Sequence, residues 1–437
     1  MNHIAALLEN AGDLIWIYIG VPVIVIFGLY LSIKARFVQV RRLPKVFRYF
    51  GHLIRAEHDD EAGIHPLKAF FASVGGCIGI GNIVVVCTAV QFGGPGALLW
   101  LWLTALVGML LKYAEVYLGV KFRVGNSKGG WDGGPAYYLK RVFNHGFVPA
   151  LVAMLLCVYG VEILQFNIVA TSLTVNFGWS RPLVVVALLA AVLWVGGGGV
   201  RRVGDFCSAI IPFFTLCFVG MGMWVLMRNI TVIPEVLGLV VKSAFTGHAA
   251  VGGFAGAGLL MTISHGVRWG CYSGDIGIGY AAVLHAETSS ECPEHQAALT
   301  LFEIVLDTFV ICSTSILIIL VTGVWKEPIH VELLVQNALA QYFPYMNIFM
   351  PLFLLLLGFS TIVSYFCFGL KASDYLSPKW GRRVFYAYAI FTLALFSFVD
   401  TAYPRAVMSI TGAMLLLINV LGIIHLRKEV NFKIDKL

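Results

Sequence analysis

The sequence predicts an all-α polytopic membrane protein, and three observations carry that prediction. Of the 437 residues, 59% are hydrophobic and only 12% are charged, with a mean hydropathy of +0.86. A water-soluble chain of this size could not hide so much apolar surface. The apolar runs are about 18 to 27 residues long, the length of a spanning helix and far beyond a barrel strand. In lipid every backbone polar group must be satisfied within the fold, which leaves helices or closed barrels. Run length selects helices.

Taken in order, the runs define eleven expected spans: 14–33, 67–90, 97–120, 147–175, 182–200, 206–227, 251–285, 297–323, 347–370, 384–399 and 406–426. The run from Val251 to His285 is too long for one straight span. Glu9 and Asp13 precede the first run where a signal peptide would carry positive charge, so that run is expected to persist in the mature protein. Placing the N-terminus outside puts 22 of the 30 Lys and Arg on cytoplasmic segments and five on outer ones, with the C-terminus cytoplasmic. The formal charge of +7 is therefore spread between apolar runs instead of gathered on one face. It reports membrane orientation and a lipid environment, not nucleic acid. The nine cysteines form no CxxC pair, so neither a disulfide framework nor a zinc site is indicated.

The first span set aside, ten remain, dividing as five plus five. An odd number per half forces opposite orientations, so any repeat must be inverted. The expected divisions are an N-terminal helix with its basic loop (1–66), a first repeat (67–228), a second repeat (243–426) and a tail (427–437). A pair of Gly-interrupted segments at corresponding places in two such halves points to the binding site of a transporter. The first half opens with Gly75-Gly76-Cys77-Ile78-Gly79-Ile80-Gly81-Asn82. Its four glycines each cost about 1 kcal/mol against alanine in a helix. Unwound carbonyls there could coordinate Na⁺, and a half-helix N-terminus could receive a carboxylate. Close helix packing is the plainer explanation, but Asn82 at that depth needs a polar partner.

The second half opens with a segment carrying Gly252, Gly253, Gly256, Gly258, Gly266, Gly270, Gly274, Gly277 and Gly279, together with His265, Arg268 and Asp275. Charged groups inside an apolar stretch mark functional sites by default; mutual neutralisation of Arg268 and Asp275 is the bland alternative. Asp275, between Gly274 and Gly277, is expected where the helix opens. Gln165 in the fourth span, beside Glu162 and Asn167, is a candidate amide for a substrate's polar group, against a role as interhelical glue. The hydroxyls of Ser360 and Thr361 could ligate a hard cation, against bonding back to their own helix. Glu303 and Asp307 share a helix face and read as inward packing groups. Lys112 and Glu115, near the inner end of their span, read as interfacial snorkelling. No enzyme motif is present: GxSxG, HExxH and Walker loops are all missing, and His285-Ala286-Glu287 lacks a downstream PCxxC. No cofactor is expected.

These motifs resemble the alanine or glycine:cation symporter family. The resemblance rests on Gly79-Ile80-Gly81-Asn82-Ile83, Gly93-Gly94-Pro95-Gly96-Ala97, Lys112-Tyr113-Ala114-Glu115 and Gly133-Gly134-Pro135-Ala136-Tyr137-Tyr138. It continues through Gly266-Val267, Ser273, Gly277, Gly279, His285-Ala286, Asp307-Thr308 and Phe359-Ser360-Thr361. It implies Na⁺-coupled uptake of a small neutral amino acid on an inverted five-plus-five, LeuT-like fold with an extra N-terminal helix. Carried onto this chain, Ile80, Gly81 and Asn82 would cradle the substrate carboxylate with backbone amides, with Gly79 beside them in the substrate site. Gln165 and Phe166, with Cys271, Tyr272, Gly274 and Asp275, complete the substrate site. Ser360 and Thr361 hold Na⁺ with carbonyls near Gly75 and Ile78. Around the second break the family reads Gly-Val-x-Arg-Gly-x-Phe-Ser-Asn-Glu-Ala-Gly, where this chain has Gly-Val-Arg-Trp-Gly-Cys-Tyr-Ser-Gly-Asp-Ile-Gly, and Phe166 replaces a small residue. Another small zwitterionic solute, or H⁺ as driver through Asp275 and His265, is the alternative within the class. A channel would need a continuous polar pore, which the sequence lacks.

Overall fold

The protein is seen in a computed structural model that describes residues 12, 14–55, 63–126, 129–246, 258–327, 330, 333–399 and 402–434. Among these it is almost entirely helical; the one sheet is a small antiparallel hairpin of β1 (Val124–Gly125) and β2 (Trp131–Asp132). The main helices are α1 (Trp16–Lys34), α2 (Leu43–Arg55), α3 (Pro66–Cys77), α4 (Gly81–Gly93), α5 (Ala97–Lys121), α6 (Phe147–Tyr159), α7 (Ile163–Phe177), α8 (Arg181–Gly196) and α9 (Gly199–Arg228). Then follow α10 (Ile233–Thr246), α11 (Leu259–Ser273), α12 (Tyr280–His285), α13 (Pro293–Val321), α14 (Leu334–Ala340), α15 (Met346–Leu376), α16 (Gly381–Phe396) and α17 (Ala402–His425).

Seven stretches among the described residues are long and apolar enough to cross a bilayer, with α6 and α7 together making one. An eighth arises if α3 and α4, bent by 47°, are one span. The number is lower than the eleven expected because α8 and α16 are each 16 residues long and the second glycine-rich segment divides into α11 and α12. Glu9, Asp13, the start of that segment from Val251, and Gly252, Gly253 and Gly256 lie outside the described residues. Three of these helices lie where sequence reading placed loops: amphipathic α2, α10 and the short α14.

Small residues set the packing. A Cβ added at Gly204 of α9 would stand 2.5 Å from the Lys68 carbonyl of α3, and one at Gly266 of α11 would stand 2.5 Å from the Ala97 carbonyl of α5. These backbones therefore touch, as helices do where lipid offers no hydrophobic drive to associate. Phe50 of α2 packs on Phe70 of α3 and Phe302 of α13, with ring centroids 5.2 and 4.5 Å apart. The outward surface keeps apolar side chains such as Val175, Trp194 and Leu216 exposed, as a lipid-facing bundle must.

Candidate functional site

At the first break, α3 stops because Ile78 leaves helical geometry (φ −84°, ψ 93°). The chain resumes in a wide π-turn at Gly81–Val85 before the rest of α4. Freed backbone groups find side-chain partners, as burial demands. Asn82 Oδ1 accepts from the Gly79 amide at 2.8 Å, and Gln165 Oε1 accepts from the Ile80 amide at 3.3 Å. Asn82 Nδ2 donates to Asp307, whose other oxygen accepts from Ser273 at 3.1 Å and Thr308 at 2.7 Å. Asn82 thus has the polar partner its depth requires. On the far side of α3 the hydroxyls of Thr361 and Ser360 both donate to the Gly75 carbonyl, at 3.1 and 3.3 Å. They also bond back to Leu357, at 3.4 and 2.7 Å.

The second break lies between α11 and α12. Gly277 and Gly279 hold φ of +80° and +92°, and Asp275 itself sits at φ +49°, a conformation L-residues visit only under local constraint. Asp275 Oδ1 accepts from the Tyr365 hydroxyl at 2.8 Å, and Oδ2 faces Cys77 Sγ at 3.5 Å. The Gly274 carbonyl, freed by the turn, accepts from Lys112 Nζ at 2.7 Å. Arg268 donates to Ser409 at 3.3 Å, so mutual neutralisation of Arg268 and Asp275 is not the arrangement found.

Lys112 and Glu115 correct a sequence expectation. Neither snorkels to an interface: both are fully buried. Lys112 pairs with Glu303 at 3.0 Å, and Glu115 accepts from Asn419 at 3.2 Å. Position along a span suggested the interface, but α13 and α17 pack over that face of α5. Glu303 and Asp307 do point inward, yet the π-helical stretch Val305–Cys312 aims them into separate clusters. Glu303 meets Lys112, Ser73, Cys77 and His285, while Asp307 meets Asn82 at the first break.

Between the breaks and α7 lies a cavity of about 1130 Å³. Of the residues expected at a site, Gly81, Asn82, Gln165 and Tyr272 line it. Gly79, Ile80, Phe166, Cys271, Gly274 and Asp275 are buried behind that wall. Gly75 and Ile78, with Ser360 and Thr361, are likewise buried, on the other side of α3. Gly81 is partly exposed, and a Cβ there would meet nothing within 4 Å, so its backbone is bare to the cavity. Sequence reading did not single out Tyr365, which lines the cavity and holds Asp275. Its signal was its spacing, four residues beyond Thr361 on the same helix.

The cavity's lining reaches the exposed residues Asn176 and His330, which mark its open end. At the opposite end the bundle is closed. Lys371 pairs with Asp132 of the hairpin at 2.9 Å and with Glu287. Arg123 donates to the carbonyls of Ala286, Thr288 and Ser290 at 3.2, 2.6 and 3.0 Å.

A helical membrane bundle with two mid-span breaks, a cavity between them, and one end open while the other is sealed is a transporter, not an enzyme. The chain belongs to the sodium:alanine symporter family, whose model matches residues 1–436. It is 29% identical to a probable sodium/glutamine symporter of Bacillus subtilis, over 98% of this chain and 89% of the relative. It is also 29% identical to a sodium/alanine symporter of Methanococcus maripaludis, over 82% and 80%. The crystal structure of MhsT in complex with L-phenylalanine superposes with a TM-score of 0.59 at 14% identity, covering 84% of this chain and 90% of that one. That likeness shows the LeuT-like fold. The protein is accordingly a multi-pass, sodium-coupled amino-acid symporter.

Proposed function

We propose that the chain imports a small neutral amino acid, alanine or glycine, with Na⁺ by alternating access. The observation that carries this reading is the unwound stretch Gly75–Asn82. One side presents Gly81 bare to the cavity; the other presents the Gly75 carbonyl to two hydroxyls. In this reading the Gly81 amide, joined by those of Ile80 and Asn82 turned from their present hydrogen bonds, receives the substrate carboxylate, the use of a half-helix N-terminus in such folds. Gln165 and Tyr272 flank it from the cavity wall. Phe166, Cys271, Gly274 and Asp275 shape it from behind. Ser360 and Thr361, turned from their hydrogen bonds, hold Na⁺ with the carbonyls of Gly75 and Ile78.

The layout that goes with it has eleven spans: an N-terminal helix and basic loop (1–66), two inverted five-helix repeats (67–228 and 243–426) and a tail (427–437). The N-terminus lies outside and the C-terminus in the cytoplasm, so the open end of the cavity faces outward and the Lys371 end inward. Competition counterflow in proteoliposomes tests the substrate. Labelled alanine is expected to exchange against unlabelled alanine and glycine far better than against glutamine. Preferential exchange of glutamine, or no exchange of any of the three, would overturn the assignment.

A further inference from the structure

The fourth apolar run is divided in two, and the residue exposed by that division is an acid. A Cβ at Gly160, just after α6, would lie 2.8 Å from the Gly369 Cα of α15, so the two backbones touch there. The chain leaves helical geometry through Val161 and Glu162 (φ −78°, ψ 72°) and restarts as α7 at Ile163. Glu162 lines the cavity, is 7% exposed, and has no hydrogen-bond partner for Oε2 among the described residues. Among the described residues lining that cavity it is the one carboxylate. Asp275, Glu303 and Asp307 are engaged by Tyr365, Lys112 and Asn82 behind the wall.

A buried carboxylate with an open oxygen is costly unless a cation or donor meets it. Glu162 stands three residues before Gln165, whose Oε1 accepts from the Ile80 amide. The acid is therefore about one helical turn from the side chain that bonds the first break, and Glu162 and Gly81 line the same cavity. A bare backbone and a carboxylate on one cavity match the two poles of a zwitterion. Resting on the reading above, we propose that Glu162 binds the ammonium group of the transported amino acid. Its role differs from that proposed for Ser360 and Thr361, whose hydroxyls both meet the Gly75 carbonyl on the other side of α3. Glu162 offers a single carboxylate, suited to a directional N–H donor.

The test uses full-length protein in proteoliposomes, with labelled alanine and with lactate, which carries a hydroxyl in place of the ammonium group. Glu162→Gln is expected to raise the half-saturating alanine concentration about 10- to 100-fold, the scale of a charged hydrogen bond. It should also erase the preference for alanine over lactate while leaving half-saturating Na⁺ within about twofold. Glu162→Asp, which keeps the charge with a shorter reach, should fall between the two and serves if the Gln variant does not fold. Unchanged alanine affinity in a transporting variant would overturn the proposal. So would a loss of affinity that tracks a shifted Na⁺ or proton dependence, since the acid would then hold the coupling ion. Wild-type protein that exchanges no amino acid would instead defeat the functional reading itself.

Discussion

Lys112 and Glu303 form an ion pair with no solvent-exposed side-chain surface, Nζ lying 3.0 Å from Oε1. The same ammonium donates to the Gly274 carbonyl at 2.7 Å, so one contact ties α5 to α13 and props open the second break. Removing one member leaves a buried charge unpaired, which costs about 3–5 kcal/mol, whereas replacing both by apolar residues is often neutral. Lys112→Met is therefore expected to lower thermal stability sharply in detergent, and Lys112→Met with Glu303→Leu to recover most of the loss. A single variant as stable as the parent would show that the pair is not structural.

Two neighbouring glycines of the first break should respond in opposite ways. A Cβ at Gly76 would fall 1.7 Å from the Tyr280 hydroxyl, while one at Gly81 meets nothing within 4 Å. Gly76→Ala should lower folded yield. Gly81→Phe should insert and melt like the parent, yet bind no labelled alanine, because its ring covers the bare backbone of the first break. Normal binding by Gly81→Phe would remove the first break from the site.

The hydroxyls of Ser360 and Thr361 meet at one carbonyl. Thr361→Val and Ser360→Ala are each expected to raise half-saturating Na⁺ about five- to tenfold at saturating alanine, the equivalent of one lost ligand of about 1 kcal/mol. Sodium dependence identical to the parent in both would place the ion elsewhere.

The seal at the closed end depends on Lys371, paired with Asp132 and Glu287. Lys371→Gln should admit a membrane-impermeant maleimide from that end to Cys77, a cavity-lining thiol, as read by peptide mapping. Exposed Cys292, in the loop between α12 and α13, serves as the accessible control. Cys77 as protected as in the parent would mean that other contacts hold the gate.

Legibility in the sequence followed how local each cause is. Four glycines within seven residues announced the first break, and Asp275 between two glycines announced the second, because backbone strain is written in neighbouring residues. The divide at Gly160 was not legible: one glycine in an apolar run says nothing until Gly369 packs against it. Lys112 and Glu115 misled for a related reason. Their distance from a span end is local, but their burial is set by α13 and α17, distant in sequence. The grouping of Glu303 and Asp307 was half visible. Their shared face was legible, but the π-turn that separates their partners was not. Helix α10 escaped notice because its 14 residues fall short of a spanning length.

Coupling is the central claim, and uptake driven by a gradient tests it most directly. Proteoliposomes loaded without Na⁺ and diluted into Na⁺ should accumulate labelled alanine transiently above its external concentration. The same vesicles in K⁺, or with Na⁺ equal on both sides, should only equilibrate. Accumulation of alanine that is indifferent to the Na⁺ gradient and follows a proton gradient instead would contradict the account.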